Sequence, residues 1–185
     1  MDTRQQILIA AHDLFYREGF HACGVELLAQ RAGTTKRTLY AHFGSKEGLI
    51  DAVLAYRHQR FIDSMQAALE KRPPSQTDQA YLDFIIAWTR SNDFHGCMFI
   101  NASAEYADEQ TMPHQHAARH KAQIRDILLS RLKAGGVSQA KAAAEMLFLI
   151  GEGMIVAAQT GQQPLKASMP AILRAIRQLG SVDPT

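Results

Sequence analysis

The side chains best placed to do chemistry lie between Arg31 and Lys46. Four cations, Arg31, Lys36, Arg37 and Lys46, occur there with no Asp or Glu, interleaved with Thr34, Thr35, Thr38, Tyr40, His42 and Ser45. Cations and hydroxyls in that mixture suit the oxygens of a phosphate backbone. The chemistry expected is non-covalent recognition of a polyanion, with no catalytic residue among them.

Two short helices must present these groups. Apolar Val25, Leu28 and Ala29 predict a helix over 25–32, and Gly33 is suited to the left-handed residue that ends it. Thr35 is the expected N-cap of a helix over 36–42. Leu39 and Phe43, four apart, are expected to anchor that helix in a small core with Leu14, Phe15, Leu28 and Leu49. A preceding helix over 3–17, capped by Asp2 or Thr3, carries Ile7, Leu8, Ala11, Leu14 and Phe15 on one face. The arrangement predicts a helix-turn-helix.

The stretch ILIAAHDLFYREGFHACGVELLAQRAGTTKRTLYAHFGSKEGL resembles the N-terminal DNA-binding domain of TetR-family transcriptional repressors. The GF after the first helix, LAQRAG, LYAHF and SKEGL occur in that family's order. The resemblance implies that the third helix enters the major groove, with Lys36, Arg37 and Thr38 at bases or nearby phosphates. It implies that Tyr40 and His42 hold the backbone and that Thr35 and Lys46 meet phosphates. Helix starts at Thr35 and Lys46 suit anions in any case. The chain departs from the family at Gly24, where Ser or Thr is frequent, and at Arg37, where a small residue is common.

At 185 residues with net charge +2, the basic stretch is local and not a general coating. Cys23 and Cys97 form no secreted-type framework, no signal segment is evident, and a cytoplasmic protein with reduced thiols is expected. Met146 to Ala158 is the most apolar stretch, but Glu152 interrupts it and it is short for a bilayer, so no membrane partner is expected.

The fold class expected is all-α, with about nine helices. Residues 1–47 form the DNA-binding domain and 48–185 a larger helical body for ligand binding and dimerisation. Helices are expected over 46–69, from Thr77 or Asp78 to 89, over 97–107, 116–133, 138–159 with Ser138 as cap, and 168–179. KRPPSQTD, SNDFHG, Met112–Pro113, 134–136 and TGQQP are the breaks between them. The helix around 146–158 is apolar nearly all round, and Gly151 and Gly153 suggest the close approach of another backbone. Ile172, Leu173, Ile176 and Leu179 line the last helix. The resemblance implies a homodimer through these last two helices, about 138–160 and 168–179, matching a palindromic double-stranded operator.

Phe61, Met65, Tyr81, Phe84, Trp88, Phe94, Met98, Phe99, Tyr106 and Met112 either line an apolar pocket, with His58, Asn101 or Glu105 as polar handles, or form plain core. The resemblance implies an inducer in this body, of unknown identity. Candidate sensor residues are Cys97, Phe61, Phe84, Trp88, Phe99, Asn101 and Tyr106. Cys97 follows His95 and Gly96 at a helix start, where a thiolate would be favoured; the alternative is a small buried hydrophobe. The segment GCMFINASAEY resembles one in family members that sense electrophiles. His116 and His120, with His114 nearby, have metal-ligand spacing but no evident carboxylate or thiol partner, so surface histidines are expected and no metal or other cofactor. Two functions follow: a repressor released from DNA by a small-molecule or thiol-reactive inducer, without enzymatic activity, or a helical small-molecule binder or enzyme with an incidental basic patch. Against the second stands the lack of any phosphate loop, nucleophile elbow or two-His catalytic motif.

Overall fold

The computed structural model describes residues 2–162 and 168–181, with side chains through residue 178. Gln163 and Pro164 of the expected last break, and the Leu179 side chain, lie outside the described residues. Among the described residues the chain is all-helical. In order it runs α1 (Thr3–Glu18), α2 (Val25–Arg31), α3 (Lys36–Phe43), α4 (Lys46–Glu70), a short 3-10 turn (Pro74–Gln76), α5 (Thr77–Thr89), α6 (Met98–Glu105), α7 (Met112–Ala134), α8 (Ala140–Gln159) and α9 (Met169–Ser181).

Two compact units emerge from the packing. One comprises Met1–Arg60 and Cys97–His120, the other Phe61–Gly96 and Lys121–Thr185. In the first unit, α1, α2 and α3 close around Ile7, Leu14, Phe15, Leu28 and Leu39, all buried. Asp2 starts α1, its carboxylate accepting the amide of Gln5 at 2.7 Å. Phe43, expected in this core, is only half-buried, and the Arg4 guanidinium lies 5.1 Å from its ring centre. An aromatic face so placed gains from the cation while staying accessible to water.

In the second unit α8 packs on α5 and α9. Its buried face is Ala143, Ala144, Leu147, Phe148, Gly151, Met154, Ile155 and Ala158. By length and composition α8 could cross a membrane, in contrast to the shorter apolar stretch read from sequence. Its buried stripe against α5 and α9 accounts for that composition as a core helix. Gly151 meets a ring and not a backbone: a Cβ there would sit 2.5 Å from Tyr81 Oη. Gly153 has open space around it. Glu152 is not left unpaired, since Lys121 Nζ lies 2.7 Å away.

Two helix starts differ from expectation. α7 begins at Met112, with Pro113 inside its first turn, where a missing N–H costs nothing. α8 begins at Ala140, with Gln139 and not Ser138 in the cap position. Met112 itself is 48% exposed, so it belongs to no core.

Candidate nucleic-acid interface

The turn into α3 is built by local rules. Gly33 takes φ 64°, which a side chain would resist. Thr35 then caps α3, its Oγ1 accepting the Thr38 amide at 3.2 Å. Loss of such a cap typically costs about 1 kcal/mol. Leu39 is wholly buried and fixes which side of α3 faces outward; burying a leucine contributes about 1.5–3 kcal/mol. The outward side then carries Thr35, Lys36, Arg37, Tyr40 and His42, all exposed, with Thr38 half-buried beside them. One short helix therefore offers two cations, an imidazole and three hydroxyls to solvent.

The end of α3 is tied closely to α4. A Cβ at Gly48 would collide with the Phe43 carbonyl, so SKEGL encodes a close helix-to-helix approach. Ser45 Oγ accepts the Gly48 amide at 3.0 Å. Glu47 lies below the ordinary carboxylate range, held there by its own backbone amide and by Ser45. These two side chains already use part of the α4 N-terminus, so the cation of half-buried Lys46 is what this start adds for an anion.

Two neighbours of the basic stripe had no signal in the stretch itself. Lys36 forms an ion pair with Glu26 of α2. Arg4, from α1, covers Phe43. On α1, buried His12 is held under its ordinary value of 6.5, first by burial and further by Arg57 and Arg60, against the raising effect of Asp13. Cys23 is fully buried and its thiol is pushed up by that burial.

The sensor candidates divide between the units. In the first, Cys97 is 3% exposed at the N-cap position of α6. Phe99 is buried and stacks on His120 with ring centres 3.8 Å apart. Tyr106 stacks on His21 at 4.6 Å, its phenol pushed up by burial, and Asn101 is half-buried. Glu105, expected as a polar handle, instead accepts the amides of Phe20 and His21. In the second unit Phe61 packs edge-on against Phe84 at 5.3 Å and Trp88 at 5.1 Å, and Trp88 against Phe94 at 5.3 Å. Phe84 also lines a cleft of about 530 Å³ with Ala80, Ala87 and Arg72. Met65, Tyr81 and Met98 are fully buried core.

The histidines go to separate partners. His116 Nε2 meets Asp51 Oδ1 at 2.6 Å, His114 Nδ1 the Tyr106 carbonyl at 3.0 Å, and His120 Nδ1 the His58 Nδ1 at 2.9 Å. Among the described residues no group of three or more His, Cys, Asp or Glu is placed to hold a metal.

A capped short helix set by a tight turn on two others, with cations and hydroxyls along its free side, is the design of a helix-turn-helix DNA-binding protein. The family model for bacterial regulatory proteins of the tetR family matches residues 7–53. The transcriptional activator FasR of Mycolicibacterium smegmatis is 38% identical over 45% of this chain. That match spans only 41% of FasR's own length. The transcriptional repressor ComR of Escherichia coli K12 is 28% identical over 85% of this chain and 80% of its own. A TetR-family transcriptional regulator from Streptomyces coelicolor superposes with a TM-score of 0.83 at 26% identity, covering 96% of this chain and 94% of that one. Residues 7–53 thus match the tetR family model, and the chain as a whole is similar in fold to TetR-family transcriptional regulators.

Proposed function

We propose that this regulator is a homodimeric repressor of a palindromic operator, released by a small-molecule or thiol-reactive inducer and without catalytic activity. Residues 1–47 bind DNA, residues 48–185 hold the inducer and the dimer contacts, and the protein acts in the cytoplasm. The observation that carries the reading is α3: Leu39 and the Thr35 cap lock one side, leaving Lys36, Arg37, Thr38, Tyr40 and His42 for a groove. Arg37 is the base-reading candidate, because a guanidinium pairs with guanine in bidentate fashion. Thr35, Tyr40, His42 and Lys46 hold phosphates.

Self-association is supported by α8. Leu149 is 56% and Val156 47% exposed, with open Gly153 between them at helical spacing. An exposed apolar stripe on an otherwise well-packed helix suits a second copy. Half-buried Ile172 of α9 extends the same apolar supply.

The deciding experiment compares binding of the purified protein to DNA flanking its own gene and to random DNA of equal length, at two salt concentrations. Tight, selective binding with a protected palindrome is expected. Equal, weak binding erased by moderate salt would reduce the basic stripe to an electrostatic surface. Electrophile-driven release of that complex, lost in Cys97→Ser with operator affinity intact, is the result expected if Cys97 is the sensor.

A further inference from the structure

The link between α1 and α2 is held by a residue far away in sequence. Glu105, the last residue of α6, turns both carboxylate oxygens onto this link: Oε1 accepts the amide of Phe20 at 3.0 Å and Oε2 that of His21 at 2.7 Å. His21 Nδ1 adds a contact to Oε2 at 3.1 Å. The next residue, Tyr106, continues the grip, its ring stacking on His21 and lying edge-on to Phe20 at 6.1 Å. Phe20 is wholly buried and also packs on Phe15 at 5.2 Å. Even Gly19 conforms, since a Cβ there would lie 2.9 Å from Glu105 Oε1.

The link needs this outside support. Gly24, the N-cap of α2, makes no side-chain cap bond. The start of α2 therefore lacks a side-chain cap of its own, beyond the packing of Leu28 and Ala29, and α3 follows α2 after only four residues, 32–35. Charge-assisted bonds to two consecutive amides are strong and directional. The packing independently places Cys97–His120 in the same compact unit as Met1–Arg60.

We propose that Glu105 is a positioning residue for DNA binding, its carboxylate fixing the turn from which α2, and then α3, depart. It touches no DNA; it sets the angle at which the residues of α3 are offered. The inference rests on the reading of α3 as the DNA-facing helix.

The test uses full-length protein and a duplex enriched by the wild-type chain from a random-sequence library. Wild type, Glu105→Gln and Glu105→Ala are compared by amide hydrogen exchange and by duplex affinity across salt concentrations. Glu105→Ala should lose protection over residues 19–24 while α5 stays protected, and should bind about tenfold more weakly. The salt slope should not change, because no phosphate contact is removed. Glu105→Gln, nearly isosteric and able to keep one acceptor, should fall between the two and covers the event that the alanine variant fails to fold. Lost protection with unchanged affinity would overturn the proposal, as would unchanged protection, as would a reduced salt slope. If the wild-type chain enriches no duplex, the DNA reading falls, and the proposal with it, before any variant is made.

Discussion

Helices α3 and α8 both show solvent side chains on an otherwise buried scaffold, and the chemistry of what they show is opposite. α3 exposes Lys36, Arg37, Tyr40 and His42 above a buried Leu39. α8 exposes Leu149, Gly153 and Val156 above a buried face of small and aliphatic residues. Charge on a free helix face tolerates water until phosphate replaces it, whereas an apolar stripe gains only when water leaves. Exposure alone does not define an interface; the kind of surface that would cover it does.

The largest effect should come from spoiling the apolar stripe. Leu149→Lys with Val156→Lys is expected to give monomers by sedimentation and to weaken operator binding by more than about a hundredfold, since half the contacts are lost. An unchanged dimer would move the contact away from α8. Arg37→Ala sharpens the other side: discrimination at particular base pairs should fall by about 1–3 kcal/mol. Uniform weakening across all sequences would make Arg37 a backbone contact instead.

Gly151 and Gly153 separate the inner and outer faces of α8. Gly151→Ala should cost about 1–3 kcal/mol in urea unfolding by overpacking against Tyr81. Gly153→Ala, measured on the monomeric double variant, should instead stabilise by about 0.5–1 kcal/mol through helix propensity. Equal effects would mean the two glycines do not face different surroundings. Smallest of all, Lys46→Ala should lower affinity for every DNA alike and reduce the salt slope by about one. Tyr40→Phe should weaken binding uniformly with little change in slope, and unchanged affinity in both would remove them from the phosphate set.

Much of the α3 region could be read in advance because its signals are local. Gly33, Thr35 and Leu39 lie within seven residues, and each acts on its immediate neighbours. Helix order followed from apolar spacing and from breaks such as the Pro73–Pro74 pair. Errors arose where one residue type has two uses. Pro113 reads as a break, yet it is tolerated in a first helical turn, and Ser138 reads as a cap although the helix begins later. Phe43 reads as core by spacing, but its ring is shared with Arg4. The grip of Glu105 on Phe20 and His21, the Lys121–Glu152 pair, and Arg131 Nη2 on the carbonyls of Leu69 and Arg72 left no periodic trace. Such bonds join residues dozens of positions apart, and spacing rules reach only one or two helical turns.

The ion pair between Lys36 and Glu26 would have a thermodynamic consequence for a complex in which Lys36 turns to a phosphate near the groove. A lysine that leaves a carboxylate to meet a phosphate strands an anion, which then gathers a cation from solution. Uptake of that cation cancels one of the ions the DNA sheds, so the measured slope undercounts the phosphates touched by about one. Glu26→Gln should restore the missing ion, steepening the slope by about one. On the reading of α3 as the DNA-facing helix, an unchanged slope in Glu26→Gln would mean that Lys36 keeps no phosphate contact.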